Sequence, residues 1–355
     1  MQRSMRLIAL LVLVGALVGA CGQPATTAQP KSAASSGAPL TLRLGYFPNV
    51  THAAALVGVS QGFFQKALGS GVTLESKTFN AGPALTEAFL AGELDIAYVG
   101  PNPAINGFVK SKGEALRVIA GAASGGASFV VRSEANITKP ADLAGKTLAT
   151  PQLGNTQDVA LRYYLEQNGL QSVDKGGTVQ INPMQNADIL KLFQQGQLDG
   201  AWVPEPWASR LVIEGKGKVF VDERDLWPNK QFVTTNIMVS KKFLDAHPDV
   251  VTNFLIGHLD AVSFITKDTA AAQQAINGEL EKLTTKPLPA DVLAMSFETL
   301  TVTYDPLPQT LFASADHAFT LGFLGDTQPD LTKIYDLGPL NAALKTKGLP
   351  AIALP

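Results

Sequence analysis

The stretch Gly92-Glu93-Leu94-Asp95-Ile96-Ala97-Tyr98-Val99 returns as Gly196-Gln197-Leu198-Asp199-Gly200-Ala201-Trp202-Val203, 104 residues further along the chain (95 to 199). In each copy a helical stretch ends in Gly-x-Leu-Asp, and the chain then runs into a short apolar strand that stops at a proline-containing loop. The same spacing pairs Leu44 with Leu148, and one residue more pairs Thr51-His52-Ala53-Ala54-Ala55-Leu56 with Thr156-Gln157-Asp158-Val159-Ala160-Leu161. One plan written twice predicts two α/β halves of common design.

Around these anchors, β-rich runs at 42–46, 72–79, 96–100 and 117–120 alternate with helical stretches at 53–67 and 85–91, and a second set of runs lies at 147–150, 179–182, 200–203 and 219–221. Such alternation indicates βαβ units and mostly parallel sheets. An extended return at 232–239 is followed by helical patterns from His247 onward. Pro248 suits a first turn there, and Val251, Phe254, Leu255, Leu259 and Val262 make an apolar stripe. With no strands of their own, these helices are assigned to the first half. The expected division is one lobe from residues 40–129 plus 238–355 and a second from 130–237. Two crossings, near Phe129 to Arg132 and near Val233 to Met238, would serve as a hinge.

The N-terminus carries Arg3 and Arg6, an apolar run from Leu7 to Leu17, and Val18-Gly19-Ala20 before Cys21. That run is too short to cross ~30 Å of hydrocarbon and reads as a signal peptide over residues 1–20. The small triplet before Cys21 resembles a bacterial lipobox, so Cys21 is the expected lipidation site. Residues 21–39, rich in Gln, Pro, Thr, Ala, Ser and Gly, read as a disordered tether. Cys21 is the chain's one cysteine, which excludes an intramolecular disulfide. Net charge is −2 with 16% charged residues and no basic stripe, which argues against a nucleic-acid partner.

In open parallel sheets ligands sit at the carboxyl ends of strands. The loops expected there are Pro48 to His52, Asn80 to Pro83, Gly100 to Pro103 and Ser124 to Ser128 from the first lobe, and Gln152 to Gln157, Pro204 to Trp207 and Thr234-Thr235-Asn236 from the second. They nominate Asn49, Thr51, His52, Asn80, Gly82, Asn102, Ser124, Gly125, Asn155, Thr156, Gln157, Glu205 and Trp207 as ligand-binding residues. Asn49 or Thr51, and Asn155 or Thr156, can cap the helices they precede or contact a ligand, and the uncapped N–H groups at such a start attract an anion. Gly125 and Gly126 would let backbone approach a ligand closely. Trp207 can stack on a ligand or fill an interface. Glu205 can pair with an ammonium or hydroxyl, or bridge to the opposite lobe. The four histidines are scattered, and neither a nucleophile-base-acid set nor a metal-ligand spacing assembles, so no catalytic residue, metal or cofactor is expected.

Together these residues resemble the periplasmic binding proteins of ABC transporters for nitrate, taurine and aliphatic sulfonates. The resemblance is carried by Gly45 to Ala53, Phe79 to Pro83, Gly92 to Asp95, Gly100 to Ala104, Ala141 to Lys146, Gly154 to Asp158 and Pro204 to Trp207, and it covers most of residues 41–265. It implies a type II periplasmic-binding-protein fold, with two lobes of mixed, mostly parallel sheets joined by a two-strand hinge. It also implies a small polar solute between the lobes and delivery to an ABC permease, while the lipobox at Cys21 leads to the expectation of an exported monomer held by its lipid to the outer face of the bacterial cytoplasmic membrane or to the periplasmic membrane face. The same resemblance extends to proteins that bind pyrimidine precursors, riboflavin and other aromatic solutes, and the two-lobed architecture also resembles enzymes of the menaquinone route.

Overall fold

The computed structural model describes residues 40–354, so the expected signal segment, tether and Cys21 lie outside the described residues. Two sheets organise the chain. The first joins β1 (Leu40–Tyr46), β2 (Val72–Thr78), β3 (Ile96–Val99), β4 (Leu116–Gly125), β10 (Val233–Ser240) and β11 (Leu300–Val302) in the order β11-β4-β10-β3-β1-β2. The second joins β5 (Ala127–Arg132), β6 (Thr147–Thr150), β7 (Gln180–Pro183), β8 (Gly200–Pro204) and β9 (Gly217–Asp222) in the order β7-β6-β8-β5-β9. Each has three parallel strands, β2-β1-β3 and β7-β6-β8, continued by an antiparallel strand from elsewhere in the chain, β10 and β5 respectively.

The repeat extends to register. Leu44 stands opposite Ile96 and Gly45 opposite Ala97; Leu148 stands opposite Gly200 and Ala149 opposite Ala201, every residue displaced by the same spacing. The Gly-x-Leu-Asp motif accounts for this geometry. Gly92 (φ 79°) and Gly196 (φ 73°) take the left-handed conformation that ends the helices Gly82–Leu90 and Asn186–Gln194. The following N–H groups of Glu93 and Gln197 then return to the Ala88 and Leu192 carbonyls at 3.0 and 2.9 Å. Leu94 and Leu198 are buried. Asp95 and Asp199 each accept from a main-chain N–H of the neighbouring strand, Arg43 and Thr147, both at 2.9 Å, which fixes how β3 meets β1 and how β8 meets β6.

β3 and β8 are buried along their whole length, as expected of strands covered by helices on both faces. The helices from Pro248–Lys267 to Gly338–Thr346 contribute apolar residues to the core of the first sheet. Two smaller apolar clusters cover the second.

The expected crossings are displaced. Phe129 to Arg132 lie within β5, paired to β8 and β9, and Val233 to Met238 lie within β10, paired to β3 and β4. The chain passes between sheets at Gly126 instead and returns over residues 223–232, so Thr234, Thr235 and Asn236 belong to the first sheet and not to the second lobe. The physical reason is the pair Gly125 (φ 73°) and Gly126 (φ 72°), whose left-handed backbone turns the chain from β4 into β5.

Candidate functional site

Four helical starts meet between the sheets: the 3₁₀ turn Val50–His52 and the helices Gly82–Leu90, Thr156–Gln167 and Asn186–Gln194. Their N-cap residues Asn49, Ala81, Asn155 and Gln185 make no side-chain cap, although two of them are asparagines well suited to capping. Positive helix ends without side-chain caps therefore converge on one place, where at the first start the Thr51 N–H already meets the Glu205 carbonyl at 3.5 Å. That place is a cavity of about 20 Å³, room for roughly one water, so the lobes have nearly closed on it.

Of the nominated residues, Asn49, Thr51, His52, Asn80, Asn155, Thr156 and Gln157 line this cavity, and Phe47, Gly100, Asn186, Thr234 and Thr235 join them. No lysine, arginine or carboxylate is among its lining residues. The side-chain oxygens of Thr156 and Asn186 are buried without a partner among the described residues. Burying a polar atom unpaired costs about 1–3 kcal/mol, which a bound solute can recover. The Nδ1 of His52 accepts from the Phe47 N–H at 3.2 Å, and burial pushes its pKa down to about 3, so the imidazole is neutral. A wider recess of about 380 Å³ opens around Arg162 and Phe323, but Arg162 is already paired with Asp158 and Asp174.

The other nominated residues have different surroundings. Gly82 packs against Pro103, and Asn102 donates to the Ser314 carbonyl at 3.1 Å. Ser124 and Gly125 belong to β4, where the Thr234 hydroxyl donates to the Gly125 carbonyl, so this glycine turn carries the crossing. Glu205 is 2% exposed and reaches the opposite lobe. It accepts from Ser209 N at 3.0 Å, Ser296 Oγ at 3.1 Å and Thr299 Oγ1 at 3.4 Å. Burial raises its pKa, and hydrogen bonds from Ser209, Ser296 and Thr299 oppose that rise. Trp207 does not line the cavity. Its indole N–H donates to Asn49 Oδ1 at 3.0 Å, and the Arg210 guanidinium lies 4.8 Å from the centre of its ring.

Asn186 was not nominated, yet the repeat predicts it: it stands to Gly82 as Asp199 stands to Asp95, and both open helices at the cavity. Its neighbour Gln185 accepts from Asn80 across the lobes at 3.1 Å.

A family model described as the NMT1-like family matches residues 36–277. The chain belongs to the NMT1-like family. The taurine-binding periplasmic protein of Escherichia coli (strain K12) is 30% identical over 193 residues, 54% of this chain and 57% of that protein, so the match spans little more than half of the relative's length. Among solved structures, the alkanesulfonate-binding protein SsuA from Xanthomonas axonopodis pv. citri, bound to MOPS, superposes with a TM-score of 0.68 at 20% identity, over 82% of this chain and 96% of that one. The periplasmic nitrate-binding protein NrtA from Synechocystis PCC 6803 superposes with a TM-score of 0.71 at 15% identity, over 88% and 90%. The fold is that of the periplasmic binding proteins. All the cavity-lining residues fall inside the NMT1-like match, whereas Ser296 and Thr299, which clasp Glu205, lie beyond it.

Proposed function

We propose that the chain is the extracytoplasmic solute-binding component of an ABC importer. It captures a small oxyanionic solute of the sulfonate, taurine or nitrate kind between its lobes and hands it to a permease, while Cys21 carries the lipid that keeps it at the outer face of the membrane. The observation that carries this reading is the convergence of four uncapped helical starts, two from each lobe, on one interlobe cavity lined by neutral hydrogen-bonding groups. Helix N-termini stabilise an anion without a counter-cation, and a solute touching both lobes favours the closed state. The likeness to binding proteins whose names specify taurine, alkanesulfonates and nitrate supports the same solute class.

A thermal-shift screen of the soluble body with taurine, short alkanesulfonates, nitrate, bicarbonate, pyrimidines and flavins tests the reading. A true ligand at about 100 times its Kd adds about 2.7 kcal/mol. Stabilisation by a pyrimidine or flavin alone would replace the oxyanion reading, and turnover of a hit would make the chain an enzyme. Cys21→Ser should move the protein from the membrane to the soluble fraction, and unchanged membrane association would remove the lipid anchor.

A further inference from the structure

Two groups facing the cavity have their polarity fixed by neighbours that can only donate. An indole nitrogen has no lone pair with which to accept, so the Trp207 N–H at 3.0 Å makes Asn49 present its oxygen to Trp207 and turn its NH2 away. A main-chain amide likewise only donates, so the Phe47 N–H at 3.2 Å makes Nδ1 of His52 the bare nitrogen and places the proton on Nε2. Asn49 is 5% exposed and His52 2%, and both line the cavity. Among the described residues neither the Asn49 NH2 nor the His52 Nε2–H has a protein partner, so both donors are left to the cavity.

Trp207 follows β8 of the second sheet, and Asn49 follows β1 of the first. The hydrogen bond between them therefore links the two lobes. We propose that Trp207 is a positioning residue whose indole N–H, on closure, locks the Asn49 amide with its donor end toward the solute, so that Asn49 and His52 together select an oxyanion over a neutral, donor-bearing isostere. The inference rests on the solute-binding reading above and names the groups that set its preference. A free asparagine offers either end of its amide at little cost. Once held, it cannot turn without setting its NH2 against the indole N–H, and a buried donor left unpaired in that way is disfavoured.

The test is calorimetric titration of the whole soluble body with ethanesulfonate and its isostere ethanesulfonamide, which carries an NH2 where the sulfonate carries an oxygen. Wild type should bind the sulfonate better. Trp207→Phe keeps an aromatic ring but removes the donor; it should weaken ethanesulfonate about tenfold and narrow the preference, because Asn49 can then turn its oxygen to the sulfonamide. Asn49→Asp is isosteric, still accepts from Trp207 and replaces the cavity-facing donor with an acceptor. It should weaken ethanesulfonate by more than about a hundredfold and reverse the preference. A merely structural role for Trp207 would lower the affinities of both compounds together and leave their ratio unchanged. Wild-type ratios in both variants overturn the proposal and leave the solute-binding reading standing, whereas failure of every oxyanion to bind wild type overturns both. Should Asn49→Asp not fold, the Trp207→Phe ratio decides alone.

Discussion

Glu223 is a carboxyl group held where an ion is poorly solvated. It is 2% exposed and accepts from the Trp202 indole at 2.7 Å. Burial, with Asp222 adding to it, raises its pKa to about 7 against the opposing hydrogen bonds from Trp202 and Trp227. The folded protein thus keeps a proton that the unfolded chain releases above its ordinary value of 4.5. This group's contribution to stability is fully present below that ordinary value and is lost as pH rises through about 7. The loss is at most about 3 kcal/mol. Glu223→Gln, which keeps an acceptor for Trp202 and cannot ionise, should flatten the wild-type decline between about pH 5 and pH 8 in urea unfolding. Parallel declines in wild type and variant would mean that the Glu223 carboxyl does not titrate differently on folding.

At the scale of the element, the helix Thr156–Gln167 presents Asn155, Thr156 and Gln157 to the cavity because Asp158 pins its first turn to β6. Asp158, fully buried, accepts from Gly154 N and Thr150 Oγ1, each at 2.9 Å, and from Arg162 Nε at 3.1 Å. Removing one partner of a buried pair typically costs 3–5 kcal/mol. Asp158→Ala should lose about that much in urea unfolding and also weaken solute binding, since the cavity-facing turn loses its support; a loss under about 1 kcal/mol would show the turn holding itself. The elements themselves were legible in the sequence, because the spacing of Gly-x-Leu-Asp is tied to local backbone geometry: a left-handed glycine, a buried leucine and a carboxylate on the next strand. Carried one loop further, the same spacing leads from Gly82 to Asn186. For Glu205 and Trp207 a bridging or interface role was one of two legible readings, but their partners were not, because Ser296 and Asn49 stand 91 and 158 residues away and nothing near either residue in the chain specifies them. The sheet to which β5 and β10 belong was hidden for a related reason. β5 is mostly apolar and β10 carries Thr234, Thr235 and Asn236 ahead of an apolar stretch, and neither pattern says which neighbours it pairs with; the glycine pair at 125–126 was the better signal.

For the molecule as a whole, the proposed function requires the lobes to open and shut, and Gly100 sits where they meet. Its backbone (φ −66°, ψ 159°) suits any residue, so alanine brings no local strain. A Cβ at Gly100 would, however, overlap the hydroxyl of Thr156 on the opposite lobe. The clash exists only in the closed state, and a solute draws its affinity from closure. Gly100→Ala should therefore weaken solute binding by at least about tenfold while leaving apo unfolding within about 1 kcal/mol of wild type. In small-angle scattering, added solute should compact wild type more than the variant. Gly121→Ala separates this effect from ordinary overpacking. Its Cβ would strike the Asp305 backbone within the first lobe, where opening the cleft gives no relief, so that variant should lose stability with or without solute. Wild-type affinity in Gly100→Ala would mean that the lobes close along a path that does not bring Gly100 against Thr156. Equal loss of apo stability in the two variants would mean that the lobes do not part in the unliganded protein.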